Sequence, residues 1–224
     1  MITMYKLSPS KAHRYLECTA SLKHDLPFQE TPASIRGSEL HEAAERLFKE
    51  HGDATVLEQY NLNDYERFLI NKYVNTIEEE KTKINANKVI VEEKTTINIY
   101  NNDINMIIDA LIVGKNKAII IDLKTGNYDV SPEDNAQLLF YGYGAITAYP
   151  HIKKLELAIF QKGKLRTTKI SKGKVLDFFI SKADVFEKIS NNELEYTPSE
   201  KACKFCDYKN ECMARAEWIV KSIN

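Results

Sequence analysis

The sequence predicts an α/β protein, a central mixed sheet flanked by helices. Three observations predict it. Helix-periodic segments fill the chain up to Lys83. A stretch rich in Val, Ile and Thr from Lys88 to Lys124 then reads as three consecutive strands. A helix running to about Ala148 separates that meander from two more strands, which is how a crossover into a mixed sheet looks.

Taken in order, Ser8-Pro9 reads as a helix cap followed by proline at the first helical position, and a short helix runs toward Cys18. A loop with Pro27 and Pro32 follows. Gly37-Ser38 precedes a second helix from Glu39 to about Lys49, with Leu40, Ala43, Ala44 and Leu47 on one face. A third helix covers Asp64 to Lys83. Strands are expected over Lys88–Tyr100, Ile104–Val113 and Ala118–Lys124, with turns at Asn101-Asn102-Asp103 and at Gly114-Lys115-Asn116-Lys117. Pro132-Glu133-Asp134 opens the crossover helix. Leu155–Phe160 and Leu165–Ile170 form two strands around Gly163, Val175–Ile189 is one helix, and the tail carries three cysteines and a last helix.

The chain has 224 residues, 43% hydrophobic and 28% charged. That is ordinary globular composition, enough for a sizeable core in one domain over residues 1–224. Ala118-Ile119-Ile120-Ile121, the longest apolar run near the middle, is too short to cross a membrane, and Met1–Lys6 lacks the apolar core of a signal peptide. A cytoplasmic location with no membrane partner is expected. With 31 basic and 32 acidic side chains, any phosphate-binding surface must come from local arrangement.

The most informative feature is a pair of apolar strands, each interrupted by one acid: Met106–Leu111 around Asp109, and Ile119–Lys124 around Asp122. A hairpin closing at Val113 and Ala118 sets Asp109 opposite Asp122, and Lys124 projects from the same face two residues on. Opposed carboxylates among apolar neighbours destabilise a sheet unless a cation joins them. Oxygen ligands suit Mg²⁺ or Mn²⁺, and the lysine can stabilise developing negative charge, as metal-assisted phosphodiester hydrolysis requires. The alternative is two solvent-face acids with Lys124 as their salt-bridge partner.

Other residues are candidate helpers. His41, expected in the first turn of its helix, offers an imidazole for Mn²⁺, or else is a surface or capping histidine. Gln137 and Tyr141 share a helix face and either hold a phosphate or a base, or pack on the sheet. Glu92 and Glu93 lie on the first strand, but the register there does not decide whether either reaches a metal.

Cys203, Cys206 and Cys212 form a C-x2-C-x5-C cluster, and Cys18 stands alone far upstream. Four thiolates complete a zinc site or an iron–sulfur cluster, and spacing does not choose between them. The alternative is four free or disulfide-bonded cysteines, which a cytosolic setting and the clustering of three disfavour. Such a site would unite residues 1–30 and 196–224 in a metal-cluster subregion. Lys162, Lys164, Arg166, Lys169, Lys172 and Lys174 form an acid-free basic stretch, either a nucleic-acid track or a solvated face.

These elements in this order resemble RecB-type nucleases of the PD-(D/E)xK superfamily, in the subgroup that carries an iron–sulfur cluster, which includes the exonuclease of CRISPR adaptation and the AddB nuclease domain. Leu7–Cys18 and Cys203–Ala216 also resemble a phage-associated family. The resemblance covers Leu7 to Ala216. It implies a restriction-endonuclease-like sheet and Mg²⁺- or Mn²⁺-dependent exonucleolytic cleavage of DNA, single-stranded or with free ends, in recombination or repair. It implies His41, Asp109, Asp122 and the Leu123 carbonyl as metal ligands and Lys124 as catalytic, with Gln137 and Tyr141 in the motif that follows. It implies a [4Fe–4S] cluster on Cys18, Cys203, Cys206 and Cys212, with zinc the lesser alternative. A recombination or helicase partner protein, and an oligomer, are compatible with it. A DNA-binding subunit that keeps the fold without cleaving is the rival reading. Asp122 stands where glutamate is frequent, Met106 where a glycine often precedes the first acid, and Thr19 where proline is common.

Overall fold

The computed structural model describes residues 5–25 and 31–223. A 3₁₀ turn at Pro9–Lys11 leads into α1 (Ala12–Tyr15), and a second covers Thr19–His24. Then come α2 (Pro32–Lys49), a 3₁₀ segment at Ala54–Gln59, and α3 (Asp64–Lys83). Strands β1 (Lys88–Ile99), β2 (Asn102–Val113) and β3 (Lys117–Lys124) precede α4 (Ala136–Ala148). Strands β4 (Lys154–Gln161) and β5 (Lys164–Ser171) follow, then α5 (Lys172–Ser181), α6 (Ala183–Ser190), α7 (Glu200–Cys203) and α8 (Met213–Ile223).

The sheet has the order β1-β2-β3-β4-β5. β2 and β3 are antiparallel, β3 and β4 parallel, β4 and β5 antiparallel. The parallel β3–β4 pair is bridged by α4, because parallel neighbours need a crossover. Tyr100 and Asn101 both take left-handed backbone (φ 48° and 62°), as a tight two-residue hairpin turn requires. Val113 pairs with Ala118 and Ala110 with Ile121, the register expected from the sequence.

The chain divides into two compact units. One comprises Met1–Gln29, Thr96–Met106 and Leu176–Asn224, the other Glu30–Thr95 and Ile107–Val175. The core of the second unit gathers Ala44 and Leu47 of α2, Ile70 and Ile77 of α3, and Ile119 and Ile121 of β3. Burying each of the leucine and isoleucine side chains among them stabilises the fold by roughly 1.5–3 kcal/mol. In the first unit, Cys18 packs with Ala20 and Ala202.

Several expected boundaries move. α2 begins at Pro32, not Glu39. Thr31 caps it: its side chain accepts the Ser34 N–H, and Ser34 Oγ accepts the Thr31 N–H at 2.8 Å. Pro32 occupies the first turn, where its missing N–H costs nothing. Gly37 and Ser38 therefore lie inside the helix, and His41 sits in its middle rather than its first turn. The crossover helix begins at Ala136, because Asp134 is left-handed (φ 51°) and the Asn135 side chain caps Leu138 N. Val175–Ile189 is two helices, α5 and α6, separated at Lys182. Ser8 holds the cap position of the first turn without a side-chain cap bond. Met1–Met4 and Pro27 lie outside the described residues.

Candidate functional site

Three elements of the second unit converge on the carboxylates. β2 and β3 carry Asp109 and Asp122, one step beyond the Ala110–Ile121 pair of the ladder. Asp109 is 8% exposed and Asp122 only 1%. Asp109 Oδ2 accepts the Leu123 N–H at 2.7 Å, which fixes its carboxylate against β3. Helix α2 supplies His41, whose Nδ1 lies 3.7 Å from Asp109 Oδ2. Gly37, one turn before His41, faces the chain after Lys124, where a Cβ would make ordinary contact with Thr125 Oγ1 at 3.4 Å.

Beside the acids runs a polar relay. Lys124 Nζ lies 2.8 Å from Asp122 Oδ2 and donates to Gln137 Oε1 at 3.1 Å. Gln137 Nε2 donates to Asp122 Oδ1 at 2.9 Å and to the Tyr141 hydroxyl at 2.7 Å. The Asn135 cap sets the start of α4, so Gln137 falls in its first turn with Tyr141 one turn on. This brings Lys124, Gln137 and Tyr141 together around Asp122, as the spacing suggested.

Glu92 joins the group, although its spacing gave no reason to choose it over Glu93. Glu92 Oε1 lies 2.9 Å from His41 Nδ1. Glu92 is left-handed (φ 50°) within β1, an irregularity that re-aims a strand side chain. Residue identity does not announce such a backbone; only its neighbours in space do. One ligand atom each from His41, Glu92 and Asp109 lie within 4.8 Å of one another. Of Leu123, the observed part in the site is its amide, bound to Asp109; its side chain belongs to the core.

The electrostatics follow from burial. Asp109 is pushed up to about 8, first by desolvation and then by the Asp122 carboxylate. Asp122 is also raised by desolvation, with Lys124 acting against that rise. Burial disfavours the charged His41, but its hydrogen bond to Glu92 and the charge of Asp109 outweigh this and raise it to about 9. Two buried carboxylates and a histidine thus share a space in which their own charges are poorly accommodated. Imidazole and carboxylate donors suit Mn²⁺ or Mg²⁺, whose charge would relieve that conflict.

In the first unit, Cys18, Cys203, Cys206 and Cys212 line one pocket with His24, Tyr196 and Tyr208. The four thiols are free of disulfides. Cys18 Sγ accepts the Thr197 N–H at 3.4 Å, and burial pushes the Cys206 thiol up. The His24 and Tyr208 rings stack at 3.7 Å. Arg14, 3% exposed, pairs with Asp25 and, at 3.2 Å, with Asp207, next to Cys206.

The basic stretch does not enter the carboxylate site. It occupies the β4–β5 turn, the edge strand β5 and the start of α5. No helix among the described residues is long and apolar enough to cross a membrane.

A family model described as a protein of unknown function, DUF2800, matches residues 5–223. Among solved structures, a Eubacterium rectale protein described as a candidate exonuclease is similar, with a TM-score of 0.51 and 11% identity. The match covers 92% of this chain and 88% of that one. The protein SSO0001 matches with a TM-score of 0.41 and 17% identity, over 90% of this chain and 95% of that one. At 11% identity the likeness to the Eubacterium rectale protein is one of fold.

Proposed function

The chain belongs to the DUF2800 family, and we propose that it is a metal-dependent nuclease hydrolysing phosphodiester bonds in DNA. One observation carries this reading: two buried strand carboxylates, Asp109 and Asp122, share a face with His41 and with a lysine held by Asp122. A binding module has no need of an arrangement so costly in desolvation. The description of the Eubacterium rectale neighbour as a candidate exonuclease points the same way.

In this reading His41, Asp109 and Asp122 are metal ligands, joined by Glu92 and the Leu123 carbonyl. A bound Mg²⁺ or Mn²⁺ supplies a polarised phosphate oxygen and a more acidic water. Lys124 stabilises negative charge developing on the phosphate. Gln137 holds Lys124 and Asp122 in register, and Tyr141 in turn orients Gln137. The four cysteines hold a [4Fe–4S] cluster, or zinc, that fastens the ends of the first unit.

The test is cleavage of end-labelled DNA by anaerobically purified protein with Mn²⁺, Mg²⁺ or chelator, beside Asp122→Ala. The expected result is metal-dependent loss of label, reduced by about a thousandfold or more in the variant. A folded, metal-supplied wild type that leaves every substrate intact overturns the reading and favours the non-cleaving DNA-binding subunit.

A further inference from the structure

Exposed aromatic rings cluster beside the basic turn of the second unit. The segment after Lys124 is pinned from beneath by Gln161, which is 2% exposed. Gln161 Nε2 donates to the carbonyls of Gly126 and Tyr128 at 2.8 and 2.7 Å, and its Oε1 accepts the Val130 N–H at 3.1 Å. The backbone is tied down, yet the Tyr128 ring stands 81% exposed. A fixed loop presenting a bare ring suits a stacking platform better than a core contact.

The β4–β5 turn links this loop to a second aromatic group. Lys162 Nζ pairs with Asp129 at 2.9 Å. Gly163, left-handed (φ 70°), lies against Phe68, where an added Cβ would come 3.2 Å from its ring. Phe68 is 52% exposed and stacks with Tyr65 at 6.5 Å, and Lys72 Nζ lies 5.5 Å from the Phe68 centroid. Arg166 donates to the neutral Gln161 Oε1 at 2.6 Å, so no acid consumes that hydrogen bond. Lys164 is exposed and has no ion-pair partner among the described residues.

We propose that an unpaired DNA strand leaving the carboxylates stacks a base on Tyr128 and crosses the β4–β5 turn to Phe68 and Tyr65. This rests on the nuclease reading and adds the residues that select the strand. Lys164 and Arg166 take the phosphates, while the rings take base faces that a duplex keeps hidden. Ring faces interleaved with cations are the chemistry of single-strand binding. The exposed rings therefore call for nucleic acid rather than an apolar protein surface.

The test is fluorescence anisotropy of the full chain with a fluorescein-labelled oligothymidylate and with a labelled duplex, in chelator so that nothing is cleaved. Tyr128→Ala and Phe68→Ala are each expected to weaken single-strand binding about fivefold or more and to leave duplex binding unchanged. Tyr128→Phe is expected to bind as wild type, and thermal melts of all variants to match it. Unchanged single-strand affinity in both alanine variants, or an equal loss on the duplex, overturns the proposal. A wild type that binds through Tyr128 but never cleaves removes the nuclease reading and leaves the track standing. A wild type that cleaves while Tyr128→Ala and Phe68→Ala both bind unchanged does the reverse.

Discussion

Glu92 Oε1 lies 2.9 Å from His41 Nδ1, although one residue is on a strand and the other in the middle of a helix. The left-handed backbone at Glu92 turns a strand residue toward α2. Asp109 Oδ2 lies 3.7 Å from the same imidazole nitrogen. The proposed cation site therefore draws on helix, edge strand and inner strand at once.

If Glu92 is a ligand or orients one, Glu92→Gln weakens Mn²⁺ binding by about 10- to 100-fold. Glu93→Gln leaves it unchanged. Isothermal titration calorimetry reads both. Equal affinities for the two variants would return Glu92 to a surface role.

Gln137→Leu separates positioning from metal binding. It removes the donor to Asp122 and Tyr141 and the acceptor for Lys124. Cleavage is expected to fall about 10- to 100-fold by misplacing Lys124, with Mn²⁺ affinity nearly that of wild type. Comparing kcat with the calorimetric Kd checks this, and parallel losses in both would count against it.

The pH dependence has a definite sign. Asp109 holds a proton up to about 8 and His41 up to about 9 in the metal-free protein. Cation binding needs both deprotonated, so it releases protons and tightens as pH rises toward 9. Titrations in two buffers of different ionisation enthalpy report the proton count. For stability, a carboxyl whose folded pKa is raised binds more protons folded than unfolded. The metal-free melting temperature therefore falls as pH climbs between about 4 and 8. His41, raised as well, loses its contribution as pH passes through about 9, in the same direction. Mn²⁺ is expected to flatten this decline.

The cysteines give a stoichiometric test. Anaerobically purified protein is expected to carry about four iron atoms per chain, by elemental analysis, with loss in Cys206→Ser. One zinc per chain would assign the site to zinc instead. Retention of all metal by the variant would remove Cys206 from the ligand set.

Much of this arrangement could be read before any coordinates. Counting from the Gly114–Lys117 turn set Val113 against Ala118, and this alone placed Asp109 against Asp122, because register is strict where both strands are buried. Helical spacing put Gln137 and Tyr141 on one face. Gly37-Ser38 looks like a boundary in the sequence, yet α2 runs through it from Pro32. The capping bonds at Thr31 and Pro32 in the first turn start the helix upstream of it instead.

By itself the sequence determined the strands, their central register and the identities of the acids, the lysine and the thiols, since local pattern and short-range pairing suffice for these. Tertiary structure decided what meets them. Glu92 reaches His41 only through an unusual backbone angle, and Gln161 ties down the Tyr128 loop from a strand more than thirty residues away. Both depend on contacts between segments distant in the chain, and no local periodicity encodes which distant side chain fills a given space.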